Sequence, residues 1–162
     1  MKGLMQDRPL LVHTFIDHAS IHHGDREIVT RKVEGDIHRT NYSEIHSRSR
    51  KFSKALIKLG VKKSDVIGTL AWNTHRHLES WYGITGVGAV YHTLNPRLFL
   101  EQLEYIINHA ENKFIVSDTS FVQILENLEE KIPNVKGIIF LTDKDNMPET
   151  SLKNVFCHED MI

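Results

Sequence analysis

The sequence predicts an α/β fold: a mostly parallel sheet with flanking helices, plus an N-terminal β-hairpin. Three observations carry this. Short apolar runs of strand length alternate with stretches of helical spacing from about residue 43 to residue 141. Strands that alternate with helices need crossover connections, which make neighbouring strands parallel. Two extended runs meet at Glu34-Gly35-Asp36, a turn signal that sets a hairpin apart from the rest.

Taken in order, Leu10 to His22 places Leu11, Val12, Phe15, Ile16 and Ala19 at helical spacing, and Gly24-Asp25 ends it. Glu27 to Val33 and Ile37 to Tyr42 are the hairpin strands. Ser43 to Leu59 returns to helical spacing through Ile45, Phe52 and Leu56, with Gly60 as its stop. Val66 to Trp72 has the composition of a buried strand, and Asn73-Thr74 opens the next helix through Leu78, Trp81, Tyr82 and Thr85. Ala89 to Thr93 is a strand. Asn95-Pro96 follows as a turn, because the residue before proline is pushed out of the helical region. Leu103, Ile106, Ile107 and Ala110 share a helix face, with Glu101 suited to the positive end of the dipole. Phe114 to Ser117 is a strand. Ser120 and Gln123 have capping-box spacing before the Val122, Leu125, Leu128 stripe, and Pro133 breaks that helix. Ile138 to Leu141 is the last strand expected, and the polar stretch from Thr142 onward is expected to be a loop.

The 162 residues fit one domain, with 40% hydrophobic and 25% charged side chains, which excludes collagen-like and wholly disordered chains. Net charge is -1, so bulk charge does not make this a polyanion binder. Residues 1–81 carry 14 basic and 9 acidic groups, and residues 82–162 carry 6 and 12. Arg48, Arg50, Lys51, Lys54 and Lys58 make one helix basic, but no aromatic side chain is interleaved on its polar side. A solvated face explains it better than a nucleic-acid contact. The longest aliphatic and aromatic run, Ile138 to Leu141, falls far short of the ~20 residues that span a bilayer. Gln6, Asp7 and Arg8 interrupt any signal-peptide core. The single Cys157 forms no internal disulfide, and a cytoplasmic location is the expectation.

Motifs for chemistry are sparse. Gly83, Gly86 and Gly88 run in reversed order to the dinucleotide fingerprint and sit at the end of a helix, so they point to close helix–sheet packing. His18 and His22 stand at a spacing two zinc ligands could use, but no third ligand is evident, and no metal site is expected. No nucleophile, base and orienting carboxylate occur at a known spacing, so no catalytic residue is assigned. The remaining argument is topological: ligands gather at the carboxyl ends of parallel strands. Those ends are Trp72-Asn73 and Thr93-Leu94-Asn95, with Arg97 close behind, which makes Trp72, Asn73, Thr93, Asn95 and Arg97 the candidate edge of a substrate cleft.

Several segments carry a family resemblance. Thr40-Asn41-Tyr42-Ser43-Glu44-Ile45 resembles the early Tyr-x-Glu-Leu box of the adenylate-forming superfamily. Trp72-Asn73-Thr74-His75-Arg76-His77-Leu78-Glu79 resembles the Asn-x-x-Arg-His-Leu-Glu stretch of its fatty acyl-CoA synthetases. Gly86 to Leu98 is similar to their Gly-x-Gly-Ala-Val-x-His-Thr-x-Asn-Pro-Arg-Leu block, and the match continues through Glu101-Gln102 and Ile106 to Glu111. Leu100 stands where the family often has proline, which would loosen the start of that helix. The resemblance implies the N-terminal segment, residues 1–162, of the large domain of a medium- or long-chain acyl-CoA ligase. Such enzymes join a fatty acid to ATP with Mg²⁺ and then transfer the acyl group to coenzyme A. The family's phosphate loop, later boxes and C-terminal lysine have no matching positions here; Lys136-Gly137 lacks the preceding proline and the Ser/Thr-Gly run. The resemblance therefore implies no cofactor bound by this chain alone, and no activity without the rest of the enzyme. The other reading is a non-catalytic α/β interaction module derived from that family. Family ligases build this region against later parts of the same domain, so an apolar face left without its cover, and self-association through it, are expected.

Overall fold

The computed structural model describes residues 3–4 and 7–162. Two sheets form: an antiparallel hairpin of β1 (Glu27–Arg31) and β2 (Ile37–Asn41), and a fully parallel five-stranded sheet. The latter contains β3 (Val66–Leu70), β4 (Val90–Thr93), β5 (Phe114–Ser117), β6 (Ile138–Phe140) and β7 (Val155–Cys157), in the order β4-β3-β5-β6-β7. The helices are α1 (His13–His22), α2 (Tyr42–Lys58), α3 (His75–Val87), α4 (Leu100–His109), α5 (Val122–Leu128) and α6 (His158–Met161).

Strand side chains alternate between two cores. Leu70, Ile115, Ile138 and Phe140 pack with Leu103 and Ile107 of α4 and Leu125 and Leu128 of α5. Ile67, Phe114, Val116 and Ile139 pack with Phe52 and Leu56 of α2 and Ile84 of α3. The central strands are thus apolar on both faces, as parallel sheets require. Helices pack against the central strands from both sides. Exposed large apolar side chains include Leu10, Leu11, Val12 and Phe15 before and in α1, Trp72 and Val90 by β3 and β4, and Ile57, Phe99 and Tyr105 on other helices and loops.

Five expectations are corrected. First, α1 starts at His13 rather than Leu10, and of its apolar stripe only Ile16 is buried; Phe15 is 71% exposed. Second, the Ser120–Gln123 box does not form: Thr119–Phe121 is a 3₁₀ turn and α5 starts at Val122 with no side-chain cap. Third, the polar tail holds β7 and α6. There β7 pairs in parallel with β6 at Ile138–Val155, Ile139–Phe156 and Phe140–Cys157. Fourth, Leu100 opens α4 without loosening it, because Gln102 Oε1 accepts the Phe99 amide at 3.1 Å. Fifth, the glycines near the end of α3 serve helix–helix rather than helix–sheet contact. A Cβ on Gly83 would lie 2.7 Å from Phe52 Cδ1, and Gly88, at φ +79, caps α3 in the left-handed region.

Candidate functional site

The order of the sheet puts a reversal between β3 and β5. β3 leads into α3 on one face, while β5 leads into α5 on the other. Open α/β sheets bind ligands at such a point, but here protein groups fill it. Ser117 Oγ donates to the Leu70 carbonyl at 3.0 Å, and the Asp118 amide donates to the same oxygen at 3.2 Å. The Trp72 amide donates to Asp118 Oδ2 at 2.5 Å, and the Trp72 and Phe121 rings meet at 5.3 Å.

The open space lies one strand over. A cleft of about 430 Å³ runs between the hairpin, the start of α3 and the end of β4. Its walls are mainly apolar: Ile28 and Val29 from β1, Leu78 and Trp81 from α3, and Tyr91 from β4. The His77, Tyr91 and Trp81 rings lie nearly parallel at 5.8–5.9 Å between neighbours. His77 is held by a contact of 2.9 Å between Nδ1 and the Trp72 carbonyl, which fixes Nδ1 as the donor. Burial lowers its pKa, while that bond raises it less.

The predicted cleft-edge residues divide. Asn73 and Thr93 line the cleft, whereas Trp72 does not: its ring packs on Phe121, and only its carbonyl reaches the cleft residue His77. Asn95 and Arg97 do not line it; Asn95 Oδ1 accepts the Arg97 amide at 3.0 Å and forms a local turn. Sequence reasoning missed Ile28 and Val29, because a hairpin remote in sequence builds that wall. It also missed Trp81 and Tyr91, which were assigned to regular elements without a site.

A second feature, also unread in the sequence, is a buried ionic cluster. Arg48 Nε donates to Glu79 Oε1 at 2.7 Å and Arg48 Nη2 to Glu159 Oε1 at 2.8 Å. Arg76 Nε donates to the same Glu159 oxygen at 2.9 Å, and Arg76 Nη1 to Glu34 Oε1 at 2.8 Å. Arg48 therefore does not belong to a solvated basic face; it points inward, unlike exposed Arg50, Lys51, Lys54 and Lys58. Glu159 is pushed up by burial, yet bonds from His158, Arg76 and Arg48 outweigh this and hold it well below the usual carboxylate range. Burial raises Glu79 against the pull of Arg48. His75 stacks on His38 at 3.9 Å; burial, then the charges of His38 and Arg76, lower its pKa to about 3.

Among the described residues, the glycines of the two loop-like patterns are closed by protein. The Gly137 position is packed, with a Cβ there 2.8 Å from both the Asn154 carbonyl and Phe156, and Gly83 is closed by Phe52. Among the described residues no group of three or more His, Cys, Asp and Glu is placed to hold a metal ion. The packing at Gly83 and Gly137 does not fit a phosphate group at those two positions. No helix of the described residues is long and apolar enough to cross a membrane.

This is a doubly wound α/β protein with an apolar cleft at the carboxyl ends of its strands. The family described as AMP-binding enzyme matches residues 16–159, and the chain belongs to that family. It is 37% identical over 162 residues to a medium-chain-fatty-acid–CoA ligase of Ectopseudomonas oleovorans. It is 40% identical over 162 residues to a 3-methylmercaptopropionyl-CoA ligase of Ruegeria lacuscaerulensis. All of this chain is covered in both cases, but it spans only 30% of those relatives' length. Among solved structures, coronafacic acid ligase of Pectobacterium brasiliense superimposes with a TM-score of 0.80 at 16% identity, over 94% of this chain and 29% of that one. That likeness shows the fold, which corresponds to the N-terminal portion of adenylate-forming ligases.

Proposed function

We propose that this chain is the N-terminal segment, residues 1–162, of the large domain of an ATP-dependent acyl-CoA ligase for medium- or long-chain fatty acids. The observation that carries the reading is the family match over residues 16–159, together with similarity across all 162 residues of this chain to acyl-CoA ligases of which it spans 30%. In the whole enzyme ATP, Mg²⁺ and coenzyme A supply the leaving group, the charge screening and the thiol. The segment's own contribution is a wall of an apolar cleft, with Asn73 and Thr93 at its edge, and no catalytic residue. Asn95 and Arg97 shape the turn beyond β4. Preorganised charge near the reacting phosphates usually dominates such rates, and in this reading the rest of the enzyme provides it. Pyrophosphate release from ATP, Mg²⁺ and a panel of C2 to C18 acids is therefore expected to stay at the no-protein blank. Turnover above that blank overturns the reading.

A cytoplasmic location belongs to this proposal, as does self-association through the exposed Leu10, Leu11, Val12 and Phe15. Light scattering at tens of micromolar should show association that a Leu10→Ser, Phe15→Ser double variant removes. A second reading, an interaction module without chemistry, has one observation in its favour: helices already cover both faces of the central strands. A monodisperse wild-type monomer would favour it.

A further inference from the structure

One wall of the cleft belongs to a hairpin that shares no strand pairing with the main sheet. A two-stranded hairpin is marginal in water and needs packing to hold its place. Its base is fixed, because β2 runs directly into α2 and Asn41 caps that helix by accepting the Glu44 amide at 2.9 Å. Its turn is the end free to swing. There Glu34 Oε1 accepts from Arg76 Nη1 at 2.8 Å and from the Thr142 hydroxyl at 3.1 Å. The Arg76 side chain is only 7% exposed and is held rigidly: besides Glu34 it bonds Glu159 and donates to the Leu141 carbonyl at 3.3 Å. A planar guanidinium is suited to such a multi-branched role, and a flexible ammonium is not.

We propose that Arg76 is a positioning residue: through Glu34 it clamps the β1–β2 hairpin against α3, fixing the width of the cleft and so the bulk of the acyl chain the cleft accepts. The proposal rests on the reading of the cleft as an acyl wall for its last step only. The clamp itself is geometric. Glu34 is the right place to open it, because Arg76 keeps Glu159 and Leu141 when Glu34 is lost, and the core is untouched.

Hydrogen exchange of the whole chain tests the clamp with no ligand present. In Glu34→Ala the amides of residues 28–40 should exchange at least about tenfold faster, while those of α4 and α5 stay as in wild type. Glu34→Gln keeps an acceptor oxygen and should fall between Ala and wild type; it also carries the test should Glu34→Ala fail to fold. Unchanged hairpin exchange, a uniform rise across all elements, or a Gln variant no better protected than Ala overturns the clamp. Tryptophan fluorescence then reads the cleft, since Trp81 lines it. Titration with decanoate and hexadecanoate should show the affinity ratio moving several-fold toward the longer acid in Glu34→Gln. A ratio that stays fixed while the hairpin loosens overturns the width argument. Failure of wild type to bind either acid overturns the acyl-wall reading and leaves the exchange result standing.

Discussion

Asp118→Asn isolates the cost of closing the switch point with a carboxylate. Asp118 is 1% exposed; Oδ2 accepts the Trp72 amide and Oδ1 has no partner. Burial raises its pKa to about 6 against the pull of the Trp72 amide, with Glu34 adding to the rise and Arg76 opposing it. The gap from the ordinary 3.8 corresponds to about 3 kcal/mol at ~1.4 kcal/mol per pKa unit. Between those two values the folded chain holds a proton that the unfolded chain has released. This group's contribution is therefore most favourable below about pH 4, falls as pH rises, and is about 3 kcal/mol less favourable above about pH 6.5. His75 slopes the other way: with a folded pKa of about 3, its contribution is lost as pH falls below about 6.5, where the unfolded chain takes up protons first. The raw stability curve mixes the two, so the quantity to measure is wild-type stability minus that of Asp118→Asn. Asn keeps an acceptor for the Trp72 amide, and any fixed cost of burying its NH₂ cancels in the slope. Urea unfolding from about pH 4 to about pH 7 should show the difference falling by about 2–3 kcal/mol, or roughly 1–1.5 M in midpoint at ~2 kcal/mol/M. A flat difference refutes the argument that burial raises this carboxyl. A difference that grows with pH shows the carboxylate to be stabilised instead.

Other outcomes follow from the packing and the ion pairs. Gly83→Ala should destabilise by about 1–3 kcal/mol in thermal or urea unfolding, although a helix interior ordinarily gains ~1 kcal/mol from that change, because the new Cβ meets Phe52 Cδ1 at 2.7 Å. Phe52→Ala should cost about 3–5 kcal/mol, since its fully buried ring ties α2 to the sheet. Arg48→Met strands the buried Glu79 and should cost about 3–5 kcal/mol, whereas Arg48→Met with Glu79→Leu should recover most of the loss. No recovery would mean that the pair, rather than the stranded charge, supplies the stability.

What the sequence made legible is what local pattern encodes. Val66 to Leu70 and Phe114 to Ser117 are buried on both faces and show it in uninterrupted composition, so strand, order of elements and parallel direction could be argued from them. β7 escaped because an edge strand of three residues inside a polar tail leaves too little pattern to read. The same tail brings Glu159 back against Arg48, 111 positions away, and no periodicity reports a contact at that separation. Arg48 illustrates the limit best. By spacing it belongs with Arg50, Lys51 and Lys54, yet it is turned inward toward the carboxylates of α3 and α6. Asn73 and Thr93 were found because strand ends are a topological property, while Ile28 and Val29 depend on where an independent hairpin docks. That docking is decided by Glu34 and Arg76, two charges whose partners only the folded chain defines. The chemistry of this segment therefore lies less in any motif than in how a buried guanidinium fixes a wall that the sheet itself does not hold.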